Sequence, residues 1–334
     1  MARGIWRVGR DFRMLTMGSL FAGIGGFDLA FEQAGFETKW QVEINADGQK
    51  VLERHWPMVP KWGDITTVDP TELDPVDVIA FGSPCQDLSV AGKRAGLGGE
   101  RSGLFYEAIR IIAGVRPSFA LWENVPGAFS SNAGRDFAAV LAAFRECGAR
   151  EIGWRSLDAQ YCGVPQRRRR IFLVADFGGE RASQVLFERE GVPRHPQTRR
   201  PAGAVVASLF TNGAGTSRQA GVDSETDFLV TARTLLGKGN DSHDDSFETY
   251  IPVAHNGIIQ HMAVRRLTPR ETERLQGLPD NHTRWDADGK ELSDYARYRL
   301  VGNSVAVPVV QWIATRMFHV ITNSFYDEKT EKRT

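Results

Sequence analysis

Cys85 follows an apolar, β-rich run, Val76 to Phe81, and is separated from it only by Gly82, Ser83 and Pro84. The pattern describes a buried strand that delivers a thiol at its carboxyl edge. An arbitrary free cysteine is usually inert core, but the neighbours of this one are not core residues. Pro84 stiffens the approach, Gln86, Asp87 and Ser89 are polar, and Gly92, Gly96, Gly98 and Gly99 give a glycine-rich loop. Cys85 is therefore a candidate nucleophile. A second strand, Phe119 to Trp122, ends in Glu123-Asn-Val-Pro126, and a carboxylate at that tip would share one sheet edge with the thiol. Burial beside a ring substrate would raise the pKa of Glu123 and let it donate a proton or hydrogen bond near neutrality. Without Cys85 the same residue reads as a capping or surface acid. The third placement is Gln166-Arg-Arg-Arg-Arg170, between Pro165 and the apolar strand Ile171 to Ala175. A run of arginines usually marks a solvated face, but alternate residues of a strand point to opposite sides, so Arg168 and Arg170 share one face and Arg167 and Arg169 the other. One pair can line a pocket while the other meets phosphate.

The elements that must position these groups begin near Met14. Met14 to Leu20 suits a buried strand, Phe21-Ala-Gly-Ile-Gly-Gly26 is a tight glycine turn, and Phe27, Ala30, Phe31 and Ala34 recur at helical spacing until Gly35. Such a turn lets backbone N–H groups approach a ligand closely, or simply lets two elements pack. Its spacing is not that of a dinucleotide site, which wants glycine at the first, third and sixth positions, where this chain has Asp28 in the sixth. Lys39 to Ile44 reads as the next strand, with Glu43 near its carboxyl end, where an acid can bind ribose hydroxyls, and with Asn45 capping a helix through His55. Asp64, in Gly63-Asp64-Ile65, could accept a hydrogen bond from an exocyclic amine. Helices are expected over Gly103 to Ile112 and Asp136 to Cys147, and a strand over Trp154 to Asp158. Near the end, Thr268-Pro-Arg-Glu271 carries the capping residue, proline and acid of a helix start, and Gly302 to Ser304 leads into an apolar helix, Val307 to Phe318.

Lys plus Arg and Asp plus Glu each number 41, so a nucleic-acid partner must be held by a local basic surface rather than by the field of the whole molecule. No apolar run approaches the roughly 20 residues of a membrane helix, and nothing near the amino terminus resembles a secretion signal, so a cytoplasmic setting without membrane contact is expected. Cys85, Cys147 and Cys162 are an odd number of cysteines without metal-ligand spacing, which indicates neither a disulfide framework nor a zinc site.

In chain order, Leu20-Phe-Ala-Gly-Ile-Gly-Gly26, Glu43, Gly63-Asp-Ile65, Gly82-Ser-Pro-Cys-Gln86, Glu123-Asn-Val125, Gln166 to Arg170, Arg266-Leu-Thr-Pro-Arg-Glu271 through Gln276-Gly-Leu-Pro279, and Gly302-Asn-Ser-Val305 resemble the motifs of the DNA (cytosine-5) methyltransferases of bacteria and phages. No single motif is specific; together they are, over residues 15 to about 176 and 263 to about 315. The resemblance implies an α/β fold, a doubly wound, mixed but mostly parallel sheet of the S-adenosylmethionine-dependent methyltransferase type with a small target-recognition domain. It implies that Leu20, Phe21, Ala22, Gly23, Gly25, Gly26, Glu43, Ile44, Asp64, Ile65, Pro84, Leu104, Asn303 and Ser304 bind S-adenosylmethionine, with S-adenosylhomocysteine as product. Cys85 matches the nucleophile, Glu123 the residue that engages the cytosine ring, and Arg168 and Arg170 the residues that hold the base. Gln86 and Ser89 fall among DNA contacts on the loop, Gln86 to about Arg101, that matches the one closing over flipped DNA, and Arg167 is a further DNA contact. Double-stranded DNA is the implied partner of a nucleoid-associated monomer, and a cognate restriction endonuclease a second one.

The expected layout is a leader over 1–13, a catalytic and cofactor-binding domain over 14–177, a target-recognition domain over 178–262, a return to the large domain over 263–325 and a frayed tail over 326–334. Residues 178–262 hold eight Arg plus Lys and ten Asp plus Glu, a net of −2, so this domain is not a general phosphate binder. Within it, Arg233, Thr234 and Lys238 are the candidate DNA contacts, against the alternative of an edge strand with solvated charges. Rival readings are a nicotinamide oxidoreductase, which needs neither the Pro-Cys edge nor Glu123, a transfer-RNA cytosine methyltransferase, which shares the motifs, and an inactive DNA-binding regulator of the same fold.

Overall fold

The computed structural model describes residues 13–84, 103–187, 251–255, 258–265 and 267–331, with backbone only for 251–265 and 324–331. Its centre is a sheet of seven strands in the order β3-β2-β1-β4-β5-β7-β6. The strands are β1 (Leu15–Leu20), β2 (Phe36–Val42), β3 (Lys61–Trp62), β4 (Val78–Gly82), β5 (Phe119–Asn124), β6 (Glu151–Asp158) and β7 (Arg169–Asp176). The first five run parallel; β7 pairs antiparallel with both β5 and β6. Chain order reverses at β1, which lies between β2 and β4, and the carboxyl end of that junction is where an open α/β sheet leaves a crevice.

Alternation along the strands separates two apolar layers. Leu15, Met17, Val78, Ala80, Phe119, Leu121, Phe172 and Val174 face α1 (Gly26–Gln33), α5 (Ala182–Leu186) and α8 (Val307–Glu331). Ile79, Phe81, Ala120, Trp122, Ile171, Leu173 and Ala175 face α3 (Gly103–Val115) and α4 (Arg135–Glu146). The remaining helices are α2 (Ala46–His55), α6 (Pro269–Leu275) and α7 (Asp294–Asn303). The capping residues act as read. The Asn45 side chain accepts the N–H groups of Asp47 and Gly48, and Thr268 and Glu271 form both halves of a capping box at α6.

Several expectations shift. β2 begins at Phe36 rather than Lys39, and β6 at Glu151 rather than Trp154. The helix α8 continues to Glu331, through part of the expected tail, and Arg13, assigned to the leader, is tied to Asp77 at 2.7 Å. The large domain also runs past the expected boundary at 178. Val185 and Leu186 of α5 are fully buried in its core, and Arg316 of α8 donates to the carbonyls of Val185, of Gln184 at 2.8 Å and of Phe187 at 2.6 Å. A helical stretch over Asp294–Asn323 is apolar enough to pass for a membrane span by length and composition, yet half of it is buried against the rest of the protein.

Candidate active site

At the carboxyl end of β1 the backbone turns sharply: Phe21 has φ 53°, Gly23 60° and Gly25 79°. The three glycines serve different ends. A Cβ on Gly25 would lie 2.2 Å from the Trp56 ring, and one on Gly26 would lie 2.7 Å from Ser304 Oγ and 2.9 Å from Val305 Cγ2, so both are packing positions. Gly23 faces open space, its nearest obstacle being the Phe21 carbonyl at 4.0 Å. The sequence left close packing and ligand approach as alternatives; the turn does the first on one side and leaves room for the second on the other. Leu20 and Ala22 are buried beneath it and Phe21 is half-buried.

Glu43, one residue beyond β2, latches this turn. Its Oε2 accepts the Gly23 N–H at 2.6 Å and its Oε1 the Asn45 N–H at 2.7 Å. Burial pushes its carboxyl above the usual range, against the lowering effect of those N–H donors. Ile44 beside it is 70% exposed, an apolar side chain held open at the sheet edge. Asp64 accepts the backbone N–H and the hydroxyl of Thr66, both at 2.9 Å, which hold it below its ordinary value. Ile65 is buried under α3, Leu104 is half-buried on that helix, Pro84 and Asn303 are exposed, and Ser304 is buried against the glycine turn. An open backbone cradle, a latching carboxylate and an exposed apolar side chain along one edge suit a nucleoside-like ligand.

The second group lies on the neighbouring strands. Gly82 stands opposite Glu123 in the parallel register, so close that a Cβ there would be 3.0 Å from Glu123 Oε2. The Trp122 indole donates to Ser83 Oγ at 3.0 Å inside the core, tying the residue before Pro84 to the residue before Glu123. Sequence reasoning missed this pair because Ser83 lies in a motif and Trp122 in an apolar strand, and nothing along the chain links the two. Glu123 itself forms an ion pair with Arg170 Nε at 3.1 Å, with both side chains about seven-eighths buried.

The arginine run alternates as its strand period requires: Arg167 and Arg169 are exposed, Arg168 is buried and Arg170 half-buried. The two inward-facing side chains nevertheless go to different places. Arg168 Nη2 donates to the carbonyl of Ser304 at 2.7 Å and that of Gly302 at 3.3 Å, beside the glycine turn. Gln276 binds the same turn, its Nε2 donating to Val301 O at 3.0 Å and Ser304 O at 3.3 Å. His282 is another residue without a sequence signal; buried, its Nε2 lies 2.8 Å from the Ile24 carbonyl in the glycine turn, and its ring stacks on His55 at 4.0 Å. Burial pushes the Cys162 thiol up to about 11 and raises that of Cys147, so neither favours a thiolate. Cys85, Gln86, Ser89, Arg233, Thr234 and Lys238 lie outside the described residues.

The sequence profile of the C-5 cytosine-specific DNA methylases matches residues 15–213 and 223–319. A protein of Escherichia phage P1 named DNA N-6-adenine-methyltransferase is 28% identical over 96% of this chain, which spans 63% of that longer protein. The type II methyltransferase M2.BsuMI of Bacillus subtilis is 31% identical over 90% of this chain and 74% of its own length. The solved structure of the Entamoeba histolytica methyltransferase EhMeth superimposes with a TM-score of 0.65 over 92% of this chain and 99% of that one, at 16% identity, a likeness of fold.

Proposed function

The chain belongs to the C-5 cytosine-specific DNA methylase family, and from that premise we propose that it transfers a methyl group from S-adenosylmethionine to carbon 5 of a cytosine flipped out of double-stranded DNA. The observation that carries the reading is the register of β4 and β5, which sets Glu123, with Arg170 on it, against Gly82, two residues before Pro84 and the Cys85 that follows it in the chain. S-adenosylmethionine supplies an electrophilic methyl on a sulfonium. The glycine turn, Glu43, Ile44, Asp64 and Ser304 are the residues that would hold it.

Carbon 5 of cytosine is a poor nucleophile within an aromatic ring. Addition of the Cys85 thiolate to carbon 6 would turn carbons 4 and 5 into an enamine, whose carbon 5 can take a methyl group as its bond to sulfur breaks, S-adenosylhomocysteine being the leaving group. Loss of the carbon 5 proton and expulsion of the thiolate restore the ring and free the enzyme. A thiol of ordinary pKa, about 8.5, is only a few per cent ionised at pH 7, so a nearby positive group or helix start has to favour the reactive form. Glu123, as the acid, gives a proton to ring nitrogen 3 as sulfur adds to carbon 6 and accepts from the exocyclic amine, and Arg170 beside it balances the carboxylate left behind. Extruding the base costs about a few kcal/mol, which DNA contacts by Arg167, Gln86 and Ser89 help to recover. Arg233, Thr234 and Lys238 are proposed to read the target sequence, and DNA held at the nucleoid is the expected setting.

The phage relative's name raises adenine N6 as a second acceptor. An exocyclic amine is itself a nucleophile and needs no thiol, so the paired Glu123 edge before Pro-Cys favours cytosine. Incubation with labelled S-adenosylmethionine and duplex DNA or transfer RNA, then nucleoside analysis, tests all three substrates. 5-Methylcytosine in duplex DNA is the expected product; N6-methyladenine alone, or label only in transfer RNA, overturns the proposal.

A further inference from the structure

We infer that Arg168 is a positioning residue of the donor side, acting through the Gly302–Ser304 turn on the glycine turn rather than on the target base. The inference rests on the reading of the glycine turn as the S-adenosylmethionine cradle. Arg168 is 4% exposed, and its guanidinium meets the carbonyls of Gly302 and Ser304. These belong to the last turn and C-cap of α7, the end of a helix where orphan carbonyls gather partial negative charge, so a buried cation is well matched there. Gln276 grips the same turn from α6: its side chain donates to Val301 and Ser304, and its own carbonyl accepts the Val307 N–H at 2.8 Å, at the start of α8.

The other side of the turn touches the cradle. Ser304 Oγ and Val305 Cγ2 occupy the space a Cβ on Gly26 would need. Slack in the Gly302–Ser304 turn therefore reaches the first residue of α1, where the cradle's N–H groups begin. Two residues on, in β7, Arg170 is paired with Glu123. Alternate arginines of one run, Arg168 just before β7 and Arg170 within it, thus serve the two halves of the reaction, Arg168 the donor and Arg170 the acceptor.

The test measures binding apart from turnover. Arg168→Lys keeps the charge, but its ammonium sits on a shorter stem and cannot take the place of the Nη2 that donates to both carbonyls, and Gln276→Leu loosens the same turn from α6. For each, the Kd of S-adenosylmethionine is measured by calorimetry without DNA, the Kd of the duplex separately, and the Tm in parallel. Arg168→Lys is expected to weaken S-adenosylmethionine about tenfold, the scale of one charge-assisted hydrogen bond, with duplex affinity changed less than about twofold. A merely structural role would lower the Tm and leave the Kd of the folded protein unmoved. Unaltered S-adenosylmethionine affinity with lost base engagement would put Arg168 back on the acceptor and overturn the inference. If Arg168→Lys does not fold, Gln276→Leu decides by the same criterion. Wild-type protein that binds no S-adenosylmethionine would sink the cradle reading instead, a result distinct from either.

Discussion

The two halves of the site are held by different means. On the donor side the polar groups are bound to backbone: Glu43 to the N–H groups of Gly23 and Asn45, Arg168 and Gln276 to the carbonyls that end α7, His282 to the carbonyl of Ile24. On the acceptor side the central contact joins two side chains, Glu123 and Arg170. Backbone fixes a position and cannot be exchanged without moving the fold, whereas an ion pair can trade one partner for a ring nitrogen or a carbonyl. On the proposed function, a cradle for a ligand that is always the same can be rigid, whereas a pocket that admits a base from a duplex and releases it needs partners to swap.

The sharpest way to break this contrast is Cys85→Ala. Turnover should fall by more than about a thousandfold, in the range for loss of a covalent nucleophile, while the S-adenosylmethionine Kd stays within about twofold; a variant that still methylates would remove the acceptor half as described. A duplex carrying 5-fluorocytosine at the target should trap an adduct that peptide mass spectrometry maps to Cys85, and an adduct at Cys162 would contradict the assignment.

Stability against pH probes the donor half. Burial pushes the Asp28 carboxyl, in the first turn of α1, from 3.8 to about 6, so the fold prefers it neutral and loses stability as pH rises through that interval. Burial, with His55 beside it, pulls His282 from 6.5 to about 4, so the fold prefers that ring neutral too, but here stability is lost as pH falls. Each amounts to about 3 kcal/mol, at roughly 1.4 kcal/mol per pKa unit, with opposite slopes across nearly the same window. Urea midpoints of the wild type between pH 4 and pH 6.5 should therefore change little on account of this pair. Asp28→Asn should make the acid loss steeper and His282→Asn should reverse the slope; parallel curves for all three would show that neither group is buried as described.

Gly26→Ala should cost about 1–3 kcal/mol of stability through the clash with Ser304 and Val305 and weaken S-adenosylmethionine along with it. An alanine variant with wild-type affinity would uncouple the turn from the cradle. The smallest expected effect is that of Glu43→Gln, whose amide can accept only one of the two N–H bonds with its oxygen; the S-adenosylmethionine Kd should rise about tenfold, with the Kd for duplex DNA unchanged.

Strand-glycine-helix order was legible because it is local: an apolar run, a tight turn and a helical period occupy neighbouring residues. So was the facing of the arginines, which follows from the period of a strand. Their destinations were not, since the Ser304 carbonyl that receives Arg168 lies 136 residues away, and no spacing along the chain encodes that meeting. The start of β2 was visible in principle, because Phe36, Thr38, Trp40 and Val42 alternate inward, but the polar Glu37 and Thr38 after Gly35 hid it and the strand was expected only from Lys39. The exposed edge strand β6 lacks the apolar run that marks a buried strand, which is why its first three residues were missed.

β7 enters the sheet against the direction of β5, so it is the beginning of this strand, not its end, that reaches the reactive margin. The chain arrives there from the hairpin between Asp158 and Arg169. A one-residue slip of β7 against β5 would turn Arg169 to the face that Arg170 now occupies and Arg170 away from Glu123, and burial of Ile171 to Ala175 in the two apolar layers holds the strand against that slip. The guanidinium that meets Glu123 is therefore aimed by the apolar residues that follow it in the strand as much as by its own identity.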